Sequence, residues 1–273
     1  MITVRAEQLL REGDLQGALT DLQTAIRRDP SNSRYRIFLF QLLAIRGEWE
    51  RALTQLNVVN DLDKLAWPMV QTYREAVRCE ALRGEVFAGR QTPLIFGEPV
   101  QWMALQLEAL RLNAGGHHEQ ADDLRSQAFE QAPSTAGELN GQPFQWIADA
   151  DVRLGPVVEA IVNGKYYWIP FQQIREIQIT PPEDLRDLVW LPTQFVWING
   201  GEAYGLIPVR YPGSESTEDP SLILARKTEW RGLSENLQLG FGQRILATDV
   251  EEYPLLDVRR IVLDAQESSE SRP

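Results

Sequence analysis

Three short stretches hold residues whose types and spacing could do chemistry. In "WIADADVRLG" the acids Asp149 and Asp151 alternate, with Arg153 close behind. On an extended chain alternate side chains share a face, so the two carboxylates could act as a pair or hold a metal. The further oxygen ligands and the glycine of a calcium loop are missing, and the only histidines, His117 and His118, diverge by about 100° on a helix. Those histidines read as a solvated turn. Asp149 and Asp151 read as ion-pair partners of Arg153, or of Arg186 and Arg210, ahead of catalysis. "GFGQR", residues 240 to 244, has glycines suited to a phosphate but lacks the lysine and hydroxyl of a P-loop and the third glycine of a dinucleotide fingerprint. It reads as the lead-in to a strand. Cys79, in "EAVRCEAL", reads as a buried helical thiol, and no histidine is left to activate a serine. No metal, cofactor or small-molecule substrate is expected.

The elements that would position these residues fall into two halves with different periods. "GDLQGALTDLQTAIRRDPSN" starts at Gly13, places small residues at Ala18 and Ala25, and stops at Pro30. A step of 34 residues lands on Gly47, Ala52 and Val59, and a further copy runs from Gly116 through Ala121 and Ala128 to Pro133. Glycine frees the turn between two helices, small residues let a neighbouring helix approach, and proline ends the unit. The period and pattern resemble the tetratricopeptide repeat. Residues 68 to 88 predict a helix of a degenerate unit, broken at Pro93 and Pro99.

Beyond "APSTAGELNGQPFQW" the apolar residues come in short runs. Asn163-Gly164 lies between two such runs and predicts a tight hairpin, as do Asn199, Gly200 and Gly201. Further strands are expected at 173 to 179, 243 to 248 and 256 to 263. The expected fold is α+β: helical repeats over 1–140, a β-rich domain over 141–264, and a polar disordered tail over 265–273. The formal net charge of −12 argues against nucleic acid or an anionic membrane surface as partner, and 24 Arg against 3 Lys suits ion pairs and protein interfaces. The second half is the more acidic, at −8 against −4 for residues 1 to 140. No leader or spanning run is read, and one cysteine forbids an internal disulfide, so a cytoplasmic location is expected.

Five phrases in the second half are more specific than any fold pattern: "WIADADVRLGPVVEAIVNGKYYWIPF", "PPEDLRDLVWLP", "NGGEAYGLIPVRYPGS", "LARKTEW" and "GFGQRILATD". In this order, after helical repeats, they resemble the ImpE family, also called TagJ or SciE, of accessory proteins in bacterial type VI secretion. The resemblance implies a cytoplasmic, non-enzymatic adaptor associated with the contractile sheath, through its small subunit TssB, and with ClpV, the ATPase that disassembles the contracted sheath. It brings no agreed set of binding residues.

Stacked helical hairpins expose a groove lined by the first helix of each pair. By the repeat's usual geometry Arg34, Ile37, Gln41 and Ile45 would line it in the second copy, and Gln106 and Asn113 in the third. Leu9 and Leu10 of the first helix offer a short amphipathic ligand, although packing on the first copy accounts for them. If the groove is not the site, Asp149, Asp151, Arg186 and Arg210 become the alternative. The leading function is a protein-binding adaptor. A chaperone-like stabiliser of a sheath subunit is the alternative, and a hydrolase using Asp149 and Asp151 ranks last.

Overall fold

The computed structural model describes residues 4–98, 100–234 and 237–264. The helical half runs α1 (Val4–Glu12), α2 (Leu15–Arg28), α3 (Ser33–Ile45), α4 (Trp49–Leu62), α5 (Trp67–Phe87), a short strand β1 (Leu94–Ile95), α6 (Gln101–Ala114) and α7 (His118–Gln131). The repeat glycines do what the spacing asks of them: Gly13, Gly47 and Gly116 turn between helices with φ of 85°, 68° and 81°. Asp14 caps α2 by accepting from Gly17 N at 2.7 Å. Ala18, Ala52 and Ala121 have no exposed surface, consistent with close helix packing.

The predicted helix over 68 to 88 is α5. After it the chain departs from the repeat: it does not fold back as a second helix, and β1 instead joins the edge of a sheet, parallel to β6. Pro93 directly precedes that strand, where a missing N–H costs little; Pro99 lies outside the described residues, as does the expected tail.

The second half comprises β2 (Gly137–Leu139), β3 (Gln142–Phe144), β4 (Ile147–Asp149), β5 (Val157–Val162), β6 (Lys165–Pro170), β7 (Ile174–Ile179), β8 (Trp190–Trp197), β9 (Glu202–Pro208), α8 (Pro220–Ile223), β10 (Thr228–Ser234), β11 (Leu237–Gly242), β12 (Ile245–Thr248), β13 (Glu252–Pro254) and β14 (Arg260–Leu263). Nine strands form one sheet in the order β1-β6-β5-β9-β8-β7-β14-β2-β3; β13-β12-β4 form a second and β10-β11 a hairpin. The Asn163-Gly164 turn joins β5 to β6 with both residues at positive φ, 50° and 71°, as a primed turn requires.

The fold class is α+β, helical repeats followed by a β-rich half, and the two halves share a core. One face of the large sheet, through Ile161, Trp168, Trp190 and Leu206, packs in the same apolar cluster as the helices; the other, through Val158, Phe195, Ile207 and Ile261, packs with the small sheet. Strand β5 is therefore buried along its whole length, and its sequence, "VVEAIV", is a continuous run rather than an alternation.

Candidate protein-binding site

Glu159 interrupts that apolar run, and its side chain has no exposed surface. It points toward α5, where Arg83 meets it with two hydrogen bonds of 2.7 and 2.9 Å and donates a third, of 2.8 Å, to the Arg210 carbonyl. Tyr166 also donates to Glu159, and Arg244 approaches it at 3.1 Å. Burial alone would lift the Glu159 carboxyl, but Arg83 and then Arg244 hold it below its ordinary value. Glu80, one turn before Arg83, accepts from Trp190 Nε1 at 2.9 Å, and burial raises its pKa against the pull of Arg83. A charged network thus crosses the junction of the two halves.

The paired acids belong to the same network. Asp149 ends β4 and accepts from Arg244 at 2.6 and 2.9 Å, from Tyr211 at 3.0 Å and from the Asp151 amide at 2.8 Å. Burial pushes its carboxyl up to about 6, with Arg244 pulling the other way. Asp151 lies past the strand, in a turn, so the two carboxylates do not share a strand face. It holds Arg153 by contacts of 2.5 to 3.1 Å and accepts from Gly240 N at 3.1 Å. Both acids are enclosed, at 3% and 0% exposure, with their oxygens committed to protein donors, so neither is open to a substrate or a partner. Of the expected cations, Arg153 is paired as read. Arg186 pairs instead with Asp184 and stacks over Tyr73 at 4.8 Å.

Arg210 bonds to no carboxylate among the described residues. It is buried at the junction and donates to the carbonyls of Ile45 at 2.6 Å, Ala44 at 3.4 Å and Ile223 at 2.7 Å, capping the C-terminus of α3. Arg226 does the same for α1, donating to Leu10 O at 2.8 Å and Arg11 O at 3.0 Å. Leu10 and Arg11 become Ala44 and Ile45 after one 34-residue step, so the segment from 210 to 226 meets two successive repeats at equivalent positions. A Cβ at Gly13 would likewise meet Pro220, and one at Gly47 would meet Glu215.

This segment and the sheet occupy the repeats' inner face, which corrects the expectation of an open groove. Gln41 and Ile45 are buried at 4% and 0% exposure, and α3 packs on the 3-10 turn Leu185–Leu188. Gln106, at 1%, donates to the Val152 carbonyl at 2.7 Å, and Asn113, at 7%, faces His118 Nδ1 at 3.2 Å. Leu10 is in the core and Leu9 packs against it. Arg34 alone of the groove set is exposed, with Ile37 half-buried. Cys79 is buried, its thiol pushed up to about 12 by burial, and its Sγ lies 3.5 Å from the Gly164 carbonyl. "GFGQR" closes β11: a Cβ at Gly240 would strike the Tyr211 ring at 2.4 Å, and one at Gly242 the Lys227 carbonyl at 2.1 Å. Those glycines serve close packing. Among the described residues no group of three His, Cys, Asp or Glu is placed to hold a metal ion, and no helix is long and apolar enough to cross a membrane.

Among the described residues, open surface includes the following clefts. A groove of about 880 Å³ runs between α5 and the sheet, lined by Met69, Tyr73, Ile161, Arg186, Tyr204 and Arg259. A cleft of about 410 Å³ opens between the end of α7 and β4, and another of about 440 Å³ between α5 and α6.

Fold and surfaces together define a helical-repeat scaffold locked onto a β-rich half, with Glu80 and Glu159 bonded across the junction and Asp149 and Asp151 paired within the β-rich half. The chain belongs to the ImpE family. The family pattern described as ImpE protein matches residues 141–262, and a tetratricopeptide repeat pattern matches residues 9–72. The type VI secretion system accessory component TagJ of Pseudomonas aeruginosa is 52% identical over 260 residues, covering 95% of this chain and 91% of that protein. The X-ray structure of protein VPA1032 from Vibrio parahaemolyticus superposes with a TM-score of 0.87 at 26% identity, covering 96% of this chain and 98% of the other.

Proposed function

We propose that this chain is a non-enzymatic, protein-binding accessory of the bacterial type VI secretion system. It acts in the cytoplasm as an adaptor that associates with the contractile sheath, through its small subunit TssB, and with the disassembly ATPase ClpV. The observation that carries the reading is the 52% identity to the TagJ accessory component along 95% of the chain. Fold alone would not carry it, because helical repeats serve many unrelated roles. The geometry is in keeping with it: Asp149 and Asp151, the acids that suggested hydrolysis, are closed off by Arg244 and Arg153, while clefts suited to protein segments remain open. The test mixes the purified chain with purified sheath and with purified ClpV and follows co-elution by size-exclusion chromatography. Association with both supports the adaptor; association with free TssB alone replaces it with a chaperone-like role; association with neither overturns it.

A further inference from the structure

We infer that the cleft between the end of α7 and β4 seats an apolar side chain of a partner protein, flanked in that partner by lysine or arginine. The inference rests on the protein-binding reading above and gives it a surface and a partner chemistry. The cleft is about 410 Å³, room for one or two side chains, and its walls are mostly apolar, with Phe129, Ala132, Trp146, Ala148, Pro156 and Ala247 beside Ser134 and the largely buried Asp149. Phe129 and Trp146 stand at its mouth, 37% and 40% exposed. Large aromatic rings left half in solvent beside a preformed hollow are the kind of anchor points on which interfaces concentrate their energy.

The occupant's charge follows from what surrounds the hollow. Most of its lining comes from residues 126–152, with Ala247 from β12, and neither that segment nor β12 and the turn that follows it, residues 245–252, contains lysine or arginine. They carry instead the exposed acids Glu130, on α7 next to Phe129, Glu251, in the turn after β12, and Glu252, the first residue of β13 and the strand partner of Ala247. The arginines that bracket the first segment are already used: Arg125 pairs with Asp122 and Arg153 with Asp151, and both are nearly buried. An apolar anchor with acidic neighbours would be repelled here, whereas lysine or arginine neighbours meet opposite charge at the rim and the faces of Trp146 and Phe129. The walls are also fixed in shape. The Phe129 ring lies so close over Gly155 that an added Cβ would sit 2.5 Å from it, and Gly155 has a φ of 61° that favours glycine.

The test uses the full chain and a fluorescent synthetic peptide with one central phenylalanine between lysines, against a matched peptide with glutamates in their place. Binding is read by anisotropy at low and at raised salt. The lysine peptide should bind saturably, weaken with salt, and lose roughly tenfold or more in affinity with Trp146→Ala and with Glu130→Lys/Glu252→Lys. Both variants alter exposed side chains and should melt as the wild type does. Absence of saturable binding overturns the inference, as does equal binding of the glutamate peptide or indifference to both variants. Trp146-dependent self-association in sedimentation would replace the partner with a second copy and overturn it too. If sheath and ClpV bind wild type and Trp146→Ala alike, the adaptor reading stands and this site falls; if neither binds wild type while the lysine peptide binds through Trp146, the site stands and that adaptor reading falls.

Discussion

Replacing Arg83 with methionine should be among the most damaging single changes in the molecule. Methionine preserves much of the apolar stem of Arg83 but removes two hydrogen bonds to Glu159, of 2.7 and 2.9 Å, and one of 2.8 Å to the Arg210 carbonyl. The ion pair is enclosed, at 6% and 0% side-chain exposure, so solvent does not compensate the abandoned carboxylate. Removing one member of such a pair costs about 3 to 5 kcal/mol, and an unpartnered buried carbonyl adds about 1. Glu159 keeps Arg244 at 3.1 Å and the Tyr166 hydroxyl, which trims the loss, so about 4 kcal/mol is expected. For a chain of this size that lowers Tm by about 10 °C. Guanidinium unfolding followed by both tryptophan fluorescence and far-UV circular dichroism measures it. Because the pair joins α5 to β5 inside one core, the two probes should report a single transition. Arg83→Met combined with Glu159→Gln should lose less than the sum of the two single changes, since the stranded charge is gone. A loss below about 1 kcal/mol in Arg83→Met, or two separate transitions in the wild type, would refute the account of the junction.

Three further outcomes are expected. The folded pKa of Asp149, about 6, lies above its ordinary 3.8, so the folded state holds that proton more tightly; the group's contribution to stability is complete below pH 3.8 and is lost as pH rises through 6. The stability of wild type relative to Asp149→Asn should therefore fall by about 3 kcal/mol between those limits, and denaturation curves showing it rise instead would mean that the pull of Arg244 outweighs burial. Arg210→Ala strands buried carbonyls and should cost about 3 kcal/mol, whereas Arg226→Ala, at an exposed cap, should cost about 1 and less at high salt; equal costs in urea titration would contradict the difference in burial. Gly155→Ala should destabilise by at least about 1 kcal/mol and displace the Phe129 ring, which a crystal structure of the variant would display.

Much of the helical half was legible because its signals are local. The glycines at the 34-residue step and the buried alanines behind them are needed by each hairpin for its own turn and contact, so they show in a single chain. The Asn163-Gly164 hairpin was legible for the same reason. The groove was not, because its closure depends on residues far away in sequence: Arg210 reaches Ile45 across 165 positions, and nothing near Gln41 announces that it will be covered. One signal in the sequence did point to the buried junction. A glutamate inside "VVEAIV" cannot be buried without a cation, so Glu159 implied a buried arginine somewhere in the chain. The acids of "WIADADVRLG" drew attention as a pair, but once the strand ends at Asp149 each turns to a different arginine, and their proximity in sequence stops predicting proximity of function.

The equivalence of Arg226 and Arg210 bears on how a repeat scaffold comes to be closed. Each repeat's first helix ends in carbonyls that no later residue of the helix can satisfy. In an open array, solvent meets that need at every step; here one segment of the β-rich half runs along two consecutive steps and supplies an arginine to each, at Leu10 and Arg11 and then at Ala44 and Ile45. The same segment places Pro220 against Gly13 and Glu215 against Gly47, so side-chain space as well as hydrogen bonding follows the 34-residue register. Opening that face to a foreign peptide would strand the Arg210 guanidinium and expose buried Leu222, Ile223 and Leu224. A partner is therefore better accommodated on surfaces the chain leaves uncovered, among them the cleft beside Phe129 and Trp146.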